Sequence, residues 1–139
     1  MAESCTGGLV GSMLTSVPGS SDYLLLDAVV YSNSAKTSVL GVGEETLRAY
    51  GAVSEETAIS MVNGVLRMST ADLGVSITGI AGPGGGTDEN PVGTAYVGLA
   101  HAGGCEVVKW GWIGTRYEIM SRTAKLALNM VRLQLSRIC

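Results

Sequence analysis

Two candidate nucleophiles, Ser4 and Cys5, stand side by side in "AESCTGGLVG", residues 2–11. An apolar run follows them. A helix beginning at Thr6 would turn its free N–H groups, and the positive end of its dipole, toward whatever lies above Ser4. Such a turn can hold a phosphate or stabilise an oxyanion. The same residues also suit a purely structural role, with Ser4 or Thr6 as helix cap and Gly7-Gly8 allowing tight packing. Cys5 would react only as a thiolate, which a helix dipole favours. The chain holds one histidine, His101, so a Cys–His dyad is not expected.

The second candidate is Lys36 in "YSNSAK", residues 31–36. Ser32, Asn33 and Ser34 are all capable N-caps, which places Lys36 in the first turn of a helix, where the dipole opposes a cation. To serve as a general base its pKa must fall from ~10.4 to ~7–8, at a cost of ~4 kcal/mol. A helix dipole supplies at most ~2 kcal/mol, so burial has to do the rest. A solvated lysine is the simpler alternative at this level of reading.

The third is "TGIAGPGGGTDENPVGT", residues 78–94. A phosphate loop of the P-loop type starting at Gly79 needs a lysine where the chain has Gly85. The dinucleotide pattern starting at Gly82 needs a glycine where it has Thr87. A backbone loop that lines a phosphate after a strand remains compatible with the segment, as does a plain glycine-rich connection.

Composition sets the frame for these groups. The chain has 139 residues, 46% apolar and 15% charged, which fits one folded domain with a substantial core. A net charge of −3, with no long basic stretch, argues against nucleic acid as the main partner. Three dispersed cysteines and a single histidine provide neither a zinc set nor a disulfide framework. No apolar run reaches the ~18 residues of a membrane span, and no signal peptide opens the sequence. A cytoplasmic domain with no metal and no cofactor is expected.

The elements that must position the candidates follow from periodicity. "TGGLVGSMLTSVPGSS" places Leu9, Met13, Leu14 and Val17 at helical spacing and stops at Pro18-Gly19. "YLLLDAVVYS" predicts a buried strand. "SAKTSVLGV" and "EETLRAYG" predict short helices, and "SEETAISMVNGVLRMSTADLG" a long amphipathic one, capped by Ser54 with two acids in its first turn. "GVSITGIAG" begins a strand that runs into the glycine-rich loop, and two further strands meet at Gly103-Gly104. A last helix offers Ile119, Ala124, Leu126, Leu128, Val131 and Leu135 for packing. Together these predict an α/β fold, a mixed sheet with helices on both faces. Almost no chain is left for a strand ahead of Ser4.

Taken in order, "AESCTGG", "VVYSNSAK…LGV", "GAVSEETA", "TGIAGPGGGTDENPVGTAYV" and "GTRYEIMSRTAKLAL" closely resemble the C-terminal domain of the competence/damage-inducible CinA family, which includes stand-alone nicotinamide-nucleotide amidases. The resemblance covers essentially the whole chain. It implies a three-layer α/β/α fold over residues 1–139 as a single domain. It also implies hydrolysis of nicotinamide mononucleotide to nicotinate mononucleotide and ammonia by a serine working with a lysine. Mapped residue by residue, Ser4 is the implied nucleophile and Lys36 its partner, with Tyr31 in the catalytic set. Cys5, Thr6, Gly7, Gly8, Asn33, Thr78, Gly79, Gly82, Gly84 and Arg116 are the implied substrate contacts. Ser4 Oγ and Lys36 Nζ are then expected within hydrogen-bond reach, in a pocket shared with the glycine loop.

The sequence departs from the family pattern in two places. The helix and strand that usually precede the Ser-Cys turn are absent. Thr115 and Met120 stand where an acid and a second arginine are usual, with Arg122 as a substitute for the latter. The expected partner is a small nucleotide rather than a membrane or a nucleic acid, and self-association is expected through unpaired sheet edges. A catalytically silent nucleotide-binding or interaction module is the alternative.

Overall fold

The computed structural model describes residues 1–138. Five strands form one mixed sheet in the order β2-β1-β3-β4-β5, with β1 Ala2–Glu3, β2 Ala28–Val29, β3 Leu73–Gly79, β4 Thr94–His101 and β5 Gly104–Gly111. β1 runs parallel to both β2 and β3, while β3, β4 and β5 form an antiparallel meander. Helices α1 (Leu9–Thr15) and α5 (Arg116–Ile138) cover one face. Helices α2 (Asn33–Leu40), α3 (Glu44–Tyr50) and α4 (Glu55–Arg67) build the other. This is the three-layer α/β/α arrangement expected.

Two cores result, one per face. On the α5 side Val10, Val75, Ile77, Val97 and Leu99 pack with Ala124 and Ala127. On the α4 side Ala2, Val30, Leu40, Val42, Met61 and Val65 pack together. Burying each valine, leucine or methionine is worth about 1.5–3 kcal/mol, so both layers are anchored by the central sheet. Helix α4 starts as read: the Ser54 hydroxyl accepts from the Thr57 N–H at 3.2 Å, and Glu55 and Glu56 occupy its first turn. No described helix is long and apolar enough to cross a membrane.

Four local expectations need correction. Ala2–Glu3 does form a strand ahead of Ser4, and it lies inside the sheet, paired on both sides. Helix α1 begins at Leu9, not Thr6, because Gly7 and Gly8 adopt φ of 62° and 94°, outside the helical region. The run "YLLLDAVVYS" yields only Ala28–Val29 as strand, with Val29 exposed. Its sole neighbour in the sheet, β1, is two residues long, so the ladder can be no longer. Leu135, read as a packing residue, is 46% exposed. It borders an open apolar groove of about 580 Å3 together with Leu14, Leu24 and Leu73, which leaves it open to solvent.

Candidate active site

Ser4 directly follows β1, and its N–H continues the ladder by donating to the Ile77 carbonyl at 3.0 Å. Strand alternation turns its side chain to the α2–α4 face. Lys36 reaches the same point from helix α2, which the Ser32 hydroxyl caps by accepting from the Ala35 N–H at 3.1 Å. With Asn33 as first residue of the helix, Lys36 is the fourth, at the end of the first turn. Its Nζ lies 2.9 Å from Ser4 Oγ, 3.1 Å from the Val30 carbonyl and 3.3 Å from the Tyr31 carbonyl. Lys36 is 2% exposed and makes no salt bridge among the described residues. Burial therefore lowers its pKa, offset in part by attraction to Cys5.

This set of partners decides what the amine can do. A neutral lysine has two N–H donors and one lone pair. The Val30 and Tyr31 carbonyls can only accept, so they take the two donors, and the lone pair is left for the Ser4 hydroxyl. With the amine neutral, such a pair can act as nucleophile and base, with the carbonyls orienting the base.

The cleft around the pair holds about 250 Å3 and is lined by Ser4, Cys5, Tyr31, Asn33, Lys36, Thr78, Gly79, Gly82, Gly84 and Arg116, with Ala52 and Val53. It opens beyond the carboxyl ends of parallel strands β1 and β3, whose connections leave in opposite directions along the sheet, β1 through α1 to β2 and β3 through the glycine loop to β4; ligands in open α/β sheets bind at such points. Gly79 allows the approach: a Cβ there would fall 2.6 Å from the Thr94 carbonyl oxygen and 3.1 Å from Cys5 Sγ. Arg116, first residue of α5, donates to the Gly82 carbonyl at 2.6 Å and to the Tyr31 hydroxyl at 2.9 Å. It thus ties the glycine loop to the segment that leads into α2. Neither the Cys5 nor the Thr6 N–H bonds to another residue among the described residues, whereas the Gly7 N–H closes a turn onto the Ser4 carbonyl at 3.0 Å.

The structure also separates residues that the sequence reading grouped. Thr6, Gly7 and Gly8 do not line the cleft. Thr6 is buried with its hydroxyl on Glu3, and the two glycines turn the chain between β1 and α1. Neither Ser4 nor Thr6 caps that helix. Thr78 lines the cleft, but its hydroxyl already donates to the Ala52 carbonyl at 2.6 Å. Tyr31 is exposed, and it meets the Ser–Lys pair through its backbone carbonyl, its hydroxyl being engaged by Arg116. Arg122 bonds the Ile113 carbonyl and faces Glu118, away from the cleft, so it does not substitute for a second cleft arginine. The Cys5 thiol is pushed up to about 11, chiefly by burial, which opposes the thiolate role.

One residue escaped the sequence reading. Glu3 is fully buried, and its carboxylate accepts from Thr6 Oγ1 at 2.5 Å, from the Gly8 N–H at 3.0 Å and from the Gly11 N–H at 2.8 Å. The available signal was an acid placed directly before a glycine-rich turn into a helix, a setting that supplies free backbone donors.

Fold and site together define a three-layer α/β/α domain with a buried Ser–Lys pair where β1 ends. The chain belongs to the CinA C-terminal domain family, which matches residues 1–135. It is 54% identical over 112 residues to a CinA-like protein of Desulforapulum autotrophicum, covering 81% of this chain and 26% of that one. It is 47% identical over 135 residues to a CinA-like protein of Geotalea uraniireducens, covering 97% and 32% respectively. The chain thus spans about a third or less of the length of these curated relatives. Among solved structures it resembles the competence/damage inducible protein CihA from Agrobacterium tumefaciens, with TM-score 0.89 and 44% identity over 95% of this chain and 81% of that one. It also resembles the competence damage-inducible protein A (ComA) from Klebsiella pneumoniae, with TM-score 0.93 and 32% identity over 97% and 84%.

Proposed function

We propose that this chain is an amidohydrolase that converts nicotinamide mononucleotide to nicotinate mononucleotide and ammonia through a Ser4–Lys36 mechanism. The observation that carries the proposal is the 2.9 Å contact between Lys36 Nζ and Ser4 Oγ, made by a buried lysine whose other two contacts are carbonyls.

That geometry suits the following course. Neutral Lys36 takes the Ser4 proton as Oγ attacks the carboxamide carbon, and the oxyanion is met by the Cys5 N–H. Lys36 passes the proton to the departing nitrogen, the C–N bond breaks, and ammonia leaves an acyl-Ser4. Water, deprotonated by Lys36, then attacks the ester; the Ser4–acyl bond breaks, and Ser4 regains its proton from Lys36. Arg116, the cation on the cleft wall, suits the nucleotide phosphate, with Asn33 and the glycine loop carbonyls and N–H groups around the ribose.

Ammonia release from nicotinamide mononucleotide tests this, with Ser4→Ala and Lys36→Ala beside the parent chain. Loss of turnover in both variants supports the dyad. A folded parent that releases no ammonia contradicts the proposed activity.

A further inference from the structure

The proposed reaction makes no use of Glu3, the residue next to the nucleophile. Strand alternation sends Ser4 to the α2–α4 face and Glu3 to the α1 face, so the two side chains lie on opposite sides of the sheet. From there the Glu3 carboxylate binds Thr6 Oγ1 and the Gly8 and Gly11 N–H groups. The turn of residues 4–8 is therefore closed on itself. Its first residue is bonded covalently to Glu3, its middle and last residues are hydrogen-bonded to Oε2, and the first turn of α1 hangs on Oε1. Those N–H groups would otherwise be unpaired donors of the helix start.

Asp27 backs this arrangement. A Cβ on Gly11 would fall 1.9 Å from Asp27 Oδ2, so the missing side chain makes room for that carboxyl. Asp27 Oδ1 is buried without a partner. The Asp27 carboxyl is pushed up to about 6, first by burial and then by the Glu3 charge. When protonated it supplies the proton that two facing carboxyls need.

We propose that Glu3 is a positioning residue for Ser4: by clamping both ends of the Ser4–Gly8 turn from behind the sheet, it fixes the hydroxyl against Lys36 and leaves the Cys5 N–H for the oxyanion. The proposal rests on Ser4 being the nucleophile of the reaction above. It assigns Glu3 an effect on acylation rather than on substrate affinity, because Glu3 does not line the cleft.

The test is the rate at which a fluorophosphonate probe labels Ser4, read by intact mass with Ser4→Ala as blank, beside steady-state hydrolysis of nicotinamide mononucleotide. Glu3→Gln keeps the shape but turns an amide donor toward the N–H groups it must bind. Labelling and kcat are expected to fall about 100-fold, the scale of a small misplacement of reacting groups. KM should stay within about twofold, as expected when only the transition state is affected. Thr6→Val removes one of the three bonds without changing volume and should lower both rates about tenfold at unchanged KM; it also decides the matter if Glu3→Gln does not fold. Labelling of either folded variant at the parent rate overturns the positioning role and leaves the dyad standing. A parent labelled at Ser4 that leaves nicotinamide mononucleotide intact refutes the substrate, while the labelling ratio still judges Glu3. A parent that neither labels nor turns over refutes the nucleophile and this inference with it.

Discussion

Two buried ionisable side chains flank Ser4, and they are treated in opposite ways. Behind the sheet, Glu3 accepts three hydrogen bonds, two of them from backbone N–H groups that cannot move without unwinding the start of α1. In front of it, Lys36 has two carbonyls and the Ser4 hydroxyl, and no carboxylate. A buried carboxylate held by donors is a fixed part of the scaffold. A buried amine without a counter-ion is held in tension with its own charge, and shedding the proton relieves it. The same strand end thus carries a rigid side and, in the proposed reaction, a reactive side. The rigid one was invisible to motif reading because two of its three donors are backbone N–H groups, which any residue type supplies.

The largest way to break the reactive side is to remove its members. Ser4→Ala is expected to lower turnover by about 10,000-fold or more, and Lys36→Met by about 100- to 10,000-fold, measured as ammonia release. Next comes pH. Since burial lowers the Lys36 pKa, the base is ready at pH values where an exposed lysine would still be protonated. Turnover should rise with pH through that lowered pKa and be lost below it, and Lys36→Met should lose the limb. Smaller is Gly79→Ala, whose Cβ meets the Thr94 carbonyl and Cys5 Sγ. A loss of about 1–3 kcal/mol is expected, read as a lower midpoint in thermal or denaturant unfolding.

The remaining two changes sharpen the comparison from the quiet side. Asp27 faces Glu3 and the Met1 ammonium, and its pKa is raised in the folded chain to about 6. A raised value means that the folded state prefers the protonated acid. The stability it contributes is present below the ordinary value of 3.8 and lost as pH rises through about 6. Asp27→Asn should therefore flatten the fall in melting temperature between those pH values, while a parent curve with no such fall contradicts the shared proton. The smallest effect belongs to Cys5→Ala. With the thiol pushed up to about 11, the thiolate is disfavoured, and the proposed reaction uses none. Activity should stay within about tenfold of the parent, the loss reflecting packing alone.

The structure shows which signals a sequence carries well. Ser54 capped its helix as read, and Ser32 is the cap among the three candidates Ser32, Asn33 and Ser34, since a hydroxyl before a helical run acts locally. The β4–β5 hairpin also fell where glycine marked it, with His101 paired to Gly104. The Ser4–Lys36 contact spans 32 positions, and no local pattern could require it; it was legible only through the resemblance of whole segments. The run around Leu24 looked like a buried strand because its composition suits one. Strand length is set by the partner, though, and β1 offers two residues. Gly7 and Gly8 suggested a ligand loop, yet their work is the left-handed backbone that brings α1 back onto Glu3. That requirement arises from the tertiary turn and leaves no distinct mark in residue type.

The most direct test of the Ser4–Lys36 pair needs no substrate: titrate the Lys36 amine by nuclear magnetic resonance in protein carrying isotope-labelled lysine, with Lys36→Met to assign the signal. The account predicts a midpoint well below the ordinary lysine value of about 10.4, and a change in that midpoint in Ser4→Ala. A Lys36 that titrates at about 10.4 or above, indifferent to Ser4, would contradict it.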